Sequence, residues 1–554
     1  MSIKILSDTA LLVEVTQELD PASLRRVQIL ALRIQQEEWP EVAAVVASAT
    51  ALAIYIRRRY SWHEIATRLE DRLAEEIEDE ALPDPPRERT IPVCYQGEFA
   101  PDLERVSQAV NLPCEEIIKR HTAKTYTVLA VGFAPGFPYL SGLDPELHCP
   151  RLPVPRVTVP RGSVGIGGAQ TGIYPLALPG GWNLVGRTAL SLFAPKASEP
   201  SLLRLGDQIR FEAVDTLDVR EMDSEPPFPT DSASIEPASG LEVLDGGAQT
   251  TVQDLGRVEH LALGVTEGGA VNRRGLRIAN MLVGNEVGAA ALEWAMRGPK
   301  LRFHNARLVV ITGTLVRGVP FARPFMVRAG EVLDLTKLTE PGRGILAISG
   351  GVDAPVVLDS RSTHLSGKFG GWHGRALRRG DHLPLGPVRA IDTTAGWWIL
   401  PTWVGGAEDE VIRIRILKGP EAEDFGAAGW ARLCEGIWEI RSDSNRMGIR
   451  LAGGEIQPVE KREMISQPVA TGTIQIPPNG QPIALMADRQ TLGGYPRIAS
   501  IIAVDMAIMA QVPAGGRIQF VETSLERAEF LRHIETRQLG LLRAASRSRL
   551  KFRP

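Results

Sequence analysis

The sequence has few cysteines and no long apolar run. Its four cysteines, Cys94, Cys114, Cys149 and Cys434, are scattered through 554 residues without a paired spacing. That pattern indicates neither a disulfide framework nor a zinc site, so isolated thiols are expected. No segment approaches the roughly twenty apolar residues that span a bilayer, and the first residues lack the pattern of a signal peptide. We therefore expect a cytoplasmic protein that does not enter a membrane.

An excess of charge of one sign is also absent. The 62 basic and 66 acidic residues leave a formal net charge of −4, which gives a chain of this length no global field to attract nucleic acid. The local exception is 543–554, which contains five basic residues and no acid. Short basic tails are usually solvated. We expect residues 526–554 to form a C-terminal helix followed by such a tail.

Residues 1–82 show the pattern of a small α/β domain. Residues 3–14 alternate apolar and polar side chains as a strand does. Asp20 and Ser61 are residue types that begin helices by accepting hydrogen bonds from free backbone amides, and amphipathic stretches follow both of them. The prolines in 82–86 cannot continue the second helix, which predicts a domain boundary there.

Short β-branched runs broken by glycine and proline dominate the rest of the chain, a pattern typical of barrels and sandwiches. We predict a β-rich unit over 90–215 and an acidic linker rich in proline and serine over 221–239. Two further β-rich lobes are predicted over 240–390 and 391–525. The expected fold class is α+β, mostly β.

Two glycine-rich segments of the first half have echoes in the second half. Residues 162–166 are similar to 472–476, and residues 170–175 are similar to 490–496. The echo has two explanations, which are shared ancestry of two lobes and coincidence between two glycine-rich loops.

Several ordered motifs in the first half resemble one known family. The motifs are 131–140 (VGFAPGFPYL), 159–164 (VPRGSV), 170–175 (QTGIYP), 179–182 (PGGW) and 186–188 (GRT). Together they resemble allophanate hydrolase subunit one, a family that includes the 5-oxoprolinase B component and a histidine-kinase inhibitor.

A second set of motifs, beyond the predicted linker, resembles the companion family, allophanate hydrolase subunit two, which includes the 5-oxoprolinase C component. The motifs are 250–257 (TTVQDLGR), 279–285 (ANMLVGN), 292–293 (LE), 360–363 (SRST), 370–375 (GGWHGR) and 488–496 (DRQTLGGYP). The two sets cover nearly the whole chain.

The resemblance implies cyclophilin-like β-barrel lobes after the small α/β domain. It also implies that the chain is the fused B/C component of an ATP-dependent 5-oxoprolinase, which opens the lactam of 5-oxoproline to give glutamate. ATP and Mg²⁺ would be the cofactors, a protein like the 5-oxoprolinase A component the partner, and a small amide the substrate. Phosphorylating the lactam oxygen would turn it into a leaving group that attacking water can displace.

Both families also occur joined as the carboxyltransferase part of urea carboxylase, so a carboxyltransferase component for urea is one alternative. The chain contains no Ala-Met-Lys-Met biotin-attachment motif and no Gly-x-x-x-x-Gly-Lys-Ser/Thr phosphate loop. A self-contained urea carboxylase with covalently attached biotin is therefore excluded, but a component served by other chains is not. The other alternative is a non-enzymatic regulator that binds a sensor kinase.

Four polar residues within these motifs are candidates for the chemistry itself. Asp254 and Asp488 are candidates for proton transfer or Mg²⁺ binding, and each could instead hold a turn by accepting backbone amides. His373 lies in a glycine-rich loop, and Gln170 offers both a donor and an acceptor to the edge of an amide.

Eight further residues are candidates for binding the substrate or the nucleotide. Gly162 would let backbone amides approach a ligand. Three arginines could each clamp an anion or form a structural ion pair, namely Arg187, Arg257 and Arg361. The remaining candidates are Ser163, Tyr174, Gln490 and Tyr495.

Four other residues bear on this interpretation. His121 ends a predicted helix, where the helix dipole favours its protonated form and where capping of the helix end is its favoured role. Tyr139 could donate from its hydroxyl or pack as a ring. Asn272 stands where the family usually has aspartate, and Leu492 stands where it usually has threonine. Asparagine can still cap a helix but cannot act as a base, so either that acid was structural or the activity has changed.

Overall fold

The computed structural model describes residues 2–16, 21–57, 60–74, 86–218, 240–339, 342–388, 390–393, 399, 410–460 and 464–552. The cap expected at Asp20, most of the proline boundary at 82–86 and the linker at 221–239 lie outside these ranges. Within them, no helix is both long enough and apolar enough to cross a bilayer.

A four-stranded antiparallel sheet and two helices form the N-terminal unit, with strand order β1-β2-β4-β3. The strands are β1 (Ser2–Ser7), β2 (Ala10–Glu14), β3 (Val42–Ala47) and β4 (Ala51–Ile56). The helices are α1 (Pro21–Gln36) and α2 (Trp62–Ala74). The backbone amide of Ser61 donates to the Glu64 carboxylate at 2.9 Å, as a capping box at the start of α2 requires.

Successive side chains of strand β4 point in opposite directions, and both faces of the strand are covered by other elements, so all six residues are buried. Leu52 and Ile54 pack with the apolar sides of α1 and α2. Ala51, Ala53 and Tyr55 face the opposite way, into a core shared with the first barrel and with Leu261, Ala470 and Leu492 of the second half. The small alanines let these units approach the sheet closely.

A seven-stranded sheet with neighbour order β12-β9-β10-β7-β6-β13-β5 forms the first barrel. Its strands are β5 (Glu88–Val93), β6 (Thr125–Val131), β7 (Pro138–Ser141), β9 (Ser163–Gly167), β10 (Gln170–Ile173), β12 (Asn183–Arg187) and β13 (Gln208–Ala213). Strands β8 (Arg156–Val159) and β11 (Leu178–Gly180) make an outer pair, and helices α3 (Leu103–Val110) and α4 (Cys114–Ala123) separate β5 from β6. A bridge between Cys94 and Arg187 nearly closes the sheet.

Two sheets, in the orders β20-β17-β14-β22 and β15-β16-β21-β18-β19, form the middle lobe. The strands are β14 (Leu241–Asp245), β15 (Gln249–Gln253), β16 (Ala291–Ala295), β17 (Lys300–Phe303), β18 (Arg307–Thr312), β19 (Phe325–Val327), β20 (Val332–Asp334), β21 (Arg343–Ile348) and β22 (His382–Leu383). Helix α5 (Arg273–Leu282) packs against β18 and β21 and is followed by Gly284 in the left-handed conformation that ends many helices.

A closed seven-stranded barrel, β24-β31-β28-β29-β26-β25-β32, forms the last lobe. Its strands are β24 (Ile412–Lys418), β25 (Ile437–Ile440), β26 (Gly448–Ala452), β28 (Thr473–Gln475), β29 (Ile483–Leu485), β31 (Arg497–Ile501) and β32 (Arg517–Glu522). An outer pair is made of β27 (Gln467–Pro468) and β30 (Leu492–Gly493), and the helices are α6 (Gly426–Glu435) and α7 (Met506–Met509).

The two barrels have the same strand order. Each begins with a strand that pairs in parallel with the last strand, β5 with β13 and β24 with β32. Residues 162–166 and 472–476 contribute the equivalent strands β9 and β28, so this echo in the sequence reflects a structural repeat. The echo between 170–175 and 490–496 does not, because the first contributes the barrel strand β10 and the second contributes the outer strand β30.

The C-terminal segment folds back onto the molecule. Helix α8 (Leu525–Arg549) leads into β33 (Leu550–Phe552), which pairs with β23 (Ala390–Thr393). Most of the expected basic tail continues helix α8 and is not irregular, but three of its basic side chains are in solvent as expected: Arg547, Arg549 and Lys551 are exposed. The expected fold class, mostly β with a small N-terminal α/β domain and barrel lobes, is confirmed.

Candidate functional site

A cavity of about 310 Å³ lies where the N-terminal sheet, the middle lobe, the closed barrel and helix α8 meet. Its polar lining comes from every one of these units: Asp8, Thr9 and Tyr55; Glu267, Arg273, Arg274 and Arg277; Thr471 and Arg489; and Glu535. Apolar wall is supplied by Leu255, Val258 and Met486. The cavity therefore depends on both halves of the chain.

Asp254 holds one loop that borders the cavity. Its carboxylate accepts hydrogen bonds from the Gly256 amide at 2.8 Å, the Ser360 hydroxyl at 2.6 Å, the Arg361 amide at 2.6 Å and the Ser362 hydroxyl at 2.5 Å. These four donors tie 254–256 to 360–362 and occupy both carboxylate oxygens. The geometry favours the turn-holding role among the two that the sequence left open.

Asp488 belongs to a buried ionic network centred on Arg446. Two nitrogens of Arg446 contact the two Asp488 oxygens at 2.9 Å each, a third bonds Glu293, and the Gly269 carbonyl accepts at 2.7 Å. Burial would lower the pKa of Arg446, but the two carboxylates outweigh it and raise that pKa. Glu293 also accepts from the Val271 amide at 2.7 Å. The network thus fixes the loop before α5, which borders the cavity.

Sequence reasoning missed Arg446. It lies outside the quoted motifs, and its partner Glu293 is 153 residues away in the chain. The only signal in the sequence was indirect. Asp488 lies within a family motif, and if such an aspartate is buried it requires a cation nearby, because an unpaired buried charge is costly.

Glu267 lies between two guanidinium groups inside the cavity. Burial would raise its pKa, but Arg273 and Arg489, with hydrogen bonds from Arg273 and the Thr471 hydroxyl, hold that pKa at about 2. Glu267 is therefore charged at neutral pH. Arg273 and Arg489 share this one carboxylate.

Arg489 is the member of this group with unused hydrogen-bonding capacity. The residue is 1% exposed, and its Nε and Nη2 atoms have no hydrogen-bond partner among the described residues. Nη1 donates to the Gln490 carbonyl at 3.2 Å, and the guanidinium lies 5.8 Å from the centre of the Tyr55 ring. Arg489 was quoted within a family motif but was not singled out from the sequence.

The candidate residues of the first barrel lie elsewhere. Gly162 has a positive φ of 82° and donates its amide to the Tyr174 carbonyl at 2.7 Å, and Ser163 is buried beside it. Tyr174 packs among Phe137 and other rings, and burial raises its pKa to about 12. Gln170 is half-buried. None of these candidates lines the cavity. Tyr174 packs instead in the core that the two halves share.

The three candidate arginines are held separately. Arg187 is buried and donates from Nε to the Arg161 carbonyl at 2.8 Å. Arg361 contacts the Asp353 carboxylate at 3.0 Å. Arg257 donates to the Ser362 carbonyl at 2.6 Å, and burial lowers its pKa to about 10 despite the nearby acids.

The remaining candidates do not converge on the cavity either. His373 is half-exposed with φ of 57°, packs edge-on against Trp372, and has its pKa lowered by partial burial. Tyr495 is 43% exposed, and Gln490 contributes only its carbonyl to Arg489.

Neither the protonated form nor the capping of the helix end, both expected for His121, is found. The ring is fully buried against Phe211, and its two nitrogens contact the Tyr95 hydroxyl at 2.8 Å and the Thr171 hydroxyl at 3.1 Å. Burial lowers its pKa to about 3, which outweighs the attraction of a helix C-terminus. Tyr139 is also buried, in the core next to the N-terminal sheet.

The two departures from the family pattern have structural explanations. Asn272 is the N-cap of α5, and its side-chain oxygen accepts from the Gly275 amide at 2.8 Å, as expected. An aspartate could make the same bond, which favours a structural role for the acid usual in the family. Leu492 is buried against Gly132 of the first barrel, so it contributes packing between the halves.

The acidic groups around the cavity do not fit a Mg²⁺ site. Mg²⁺ needs free carboxylate oxygens in near-octahedral geometry, whereas the carboxylates here accept from hydroxyls, amides and arginines. This holds for Asp254, Asp488 and Glu267 and also for Asp8 and Glu535, which accept from the Ala503 amide and from Arg274. In the part of the chain that the structure describes, no three His, Cys, Asp or Glu residues group as metal ligands. The cavity is suited to an anion and not to a bare divalent cation.

The chain matches two family models. Residues 1–203 match the carboxyltransferase domain, subdomain C and D, and residues 263–522 match the carboxyltransferase domain, subdomain A and B. The C component of 5-oxoprolinase from Escherichia coli (strain K12) is 39% identical over 294 residues, covering 52% of this chain and 93% of that protein. The B component of 5-oxoprolinase from Escherichia coli O157:H7 is 42% identical over 207 residues, covering 37% and 93%.

Solved structures share the arrangement. TTHA0988 aligns with a TM-score of 0.80 and 31% identity, covering 92% of this chain and 99% of that one. The Kluyveromyces lactis urea carboxylase aligns with a TM-score of 0.52 and 26% identity, covering 61% and 32%. A fold made of both pairs of subdomains places the chain in the carboxyltransferase-domain family. Within it, the chain belongs with the B and C components of 5-oxoprolinase, both of which it resembles.

Proposed function

We propose that the chain is the fused B/C component of an ATP-dependent 5-oxoprolinase, acting with a separate A component. The observation that carries the proposal is the cavity, whose walls come from both halves. The Tyr55 hydroxyl donates to the Val469 carbonyl at 2.8 Å, and the Arg532 guanidinium donates to the Asp8 carbonyl at 2.6 Å. Where B and C are separate proteins, an equivalent cavity would form only when they assemble.

The proposed reaction uses ATP as a co-substrate. The γ-phosphoryl group passes to the lactam oxygen of 5-oxoproline and ADP leaves. Water then attacks the ring carbon, the C–N bond breaks and the nitrogen takes a proton, which leaves an acyl phosphate. A second water hydrolyses the acyl phosphate to glutamate and phosphate. This chain would bind and orient the lactam between Arg489 and the apolar wall, which shortens the search for a reactive geometry.

The test is reconstitution. The purified chain, a matching A component and Mg-ATP are incubated with 5-oxoproline, and glutamate and ADP are measured together. We expect glutamate and ADP in equal amounts from the mixture, and almost none from either protein alone. Absence of glutamate with an A component that is active with its own B and C partners would refute the proposal.

The second candidate is a carboxyltransferase component for urea, favoured by the alignment with Kluyveromyces lactis urea carboxylase. Its test uses free carboxybiotin and urea with the same purified chain. Transfer of labelled carboxyl carbon to urea, without glutamate from 5-oxoproline in the first assay, would favour this candidate.

A further inference from the structure

We propose that Arg489 anchors the carboxylate of an anionic lactam in the cavity, and so makes a negative charge on the substrate a requirement for binding. The assignment rests on the proposed function for the identity of the lactam. It goes further by naming the residue that would select 5-oxoproline over an uncharged amide such as urea.

The first support is the unused hydrogen-bonding capacity of Arg489. Buried N–H groups are nearly always paired, because leaving one without a partner costs free energy. Arg489 lines the cavity, and its Nε and Nη2 groups have no hydrogen-bond partner among the described residues. A guanidinium presents neighbouring donors in a planar fork that matches the two oxygens of a carboxylate.

The second support is the local charge. Glu267 is shared by Arg273 and Arg489, and its own oxygens are already engaged by Arg273 and the Thr471 hydroxyl. Arg274 is paired separately with Glu535 at 2.5 Å. Arg273 and Arg489 thus share one carboxylate, and an incoming monoanion would supply a second one beside Arg489.

The third support is rigidity. Arg489 follows Asp488, which is fixed by Arg446, and its guanidinium lies beside the Tyr55 ring, whose hydroxyl is held by Val469. An anchor that is already in place loses little conformational entropy when a ligand binds. Leu255, Val258 and Met486 give the ring carbons of a lactam an apolar surface nearby.

Phosphate presents the same oxyanion chemistry as a carboxylate, so the experiment separates the two sources. Binding to the purified full chain is measured by calorimetry with 5-oxoproline, with 2-pyrrolidinone, which is the same lactam without the carboxylate, and with inorganic phosphate. We expect 5-oxoproline to bind roughly 10- to 100-fold more tightly than 2-pyrrolidinone, because hydrogen bonds to charged groups contribute that much. Phosphate should bind more weakly than 5-oxoproline.

Two variants of Arg489 and one control complete the design. Arg489→Gln should weaken 5-oxoproline binding roughly 10- to 100-fold and abolish the preference over 2-pyrrolidinone. Arg489→Lys should give an intermediate loss, because it keeps the charge but not the fork. Arg307→Gln is the matched control: Arg307 is also buried with two unpartnered nitrogens, but it does not line the cavity. Its binding should be unchanged, and thermal melting checks that each variant is folded.

Three outcomes would overturn the assignment: no binding of 5-oxoproline, equal binding of 2-pyrrolidinone, or unchanged binding by folded Arg489→Gln. Tighter binding of phosphate than of 5-oxoproline would also overturn it and would point to a phosphoryl site. The outcome is separable from that of the proposed function. Glutamate release by the reconstituted mixture without these binding effects leaves the function standing, whereas charge-selective binding without glutamate leaves only the anchor.

Discussion

Replacing Arg446 by methionine would test how the cavity is shaped. The guanidinium is 5% exposed and bonds Asp488 twice, Glu293 once and the Gly269 carbonyl once. Removing one partner of a buried ion pair costs about 3–5 kcal/mol, and here two carboxylates are stranded together. We therefore expect Arg446→Met to lower the free energy of unfolding by an amount near the upper end of that range, about 5 kcal/mol.

The assay is urea denaturation followed by tryptophan fluorescence, for which Trp294 is a buried reporter next to Glu293. Arg302→Met is the control, because Arg302 pairs with Glu242 at 2.8 Å but its side chain is 43% exposed, and such pairs contribute at most about 1 kcal/mol. Adding Asp488→Asn to Arg446→Met should recover part of the loss by removing one stranded charge. Equal small losses for Arg446→Met and Arg302→Met would refute the reasoning.

Three further predictions concern His121, the contact between the halves and the cap of α5. The pKa of His121 is about 3 when folded and near 6.5 when unfolded, so the free energy of unfolding should fall below pH 6.5 by up to about 1.4 kcal/mol per pH unit. His121→Gln should reduce this fall, measured as the midpoint of urea denaturation at each pH. Gly132→Ala, whose methyl carbon would lie 2.4 Å from Leu492, should cost about 1–3 kcal/mol in thermal unfolding, and its cost should shrink in a Leu492→Ala background. Asn272→Ala should lose about 1 kcal/mol of stability in urea denaturation, because it removes the side-chain oxygen that caps α5.

Local features were predictable from the sequence. The start of α2 at Ser61 and the cap at Asn272 depend on residues three positions apart, so a short stretch of sequence contains the whole interaction. The repeat shared by 162–166 and 472–476 was visible because strand and turn chemistry recur together. The motif sets placed the halves in their families for the same reason.

Long-range pairing was not predictable. Arg446 is recognisable as important only when Glu293 and Asp488 lie beside it, and Tyr55 meets Val469 across 414 residues. The protonation of His121 was wrongly expected because a helix end is visible in the sequence, whereas the rings that bury the imidazole are not. Neither local composition nor spacing shows which buried arginines keep donors without a partner, as Arg257, Arg307 and Arg489 do among the described residues.

The most direct measurement of the central claim is the initial rate of glutamate formation from 5-oxoproline by the chain with its A component and Mg-ATP, compared with that of Arg489→Gln. The account predicts steady glutamate release from the unaltered chain and a loss of roughly 10- to 100-fold in kcat/KM for the variant. Equal rates from the two proteins, or no glutamate from the unaltered chain, would contradict it.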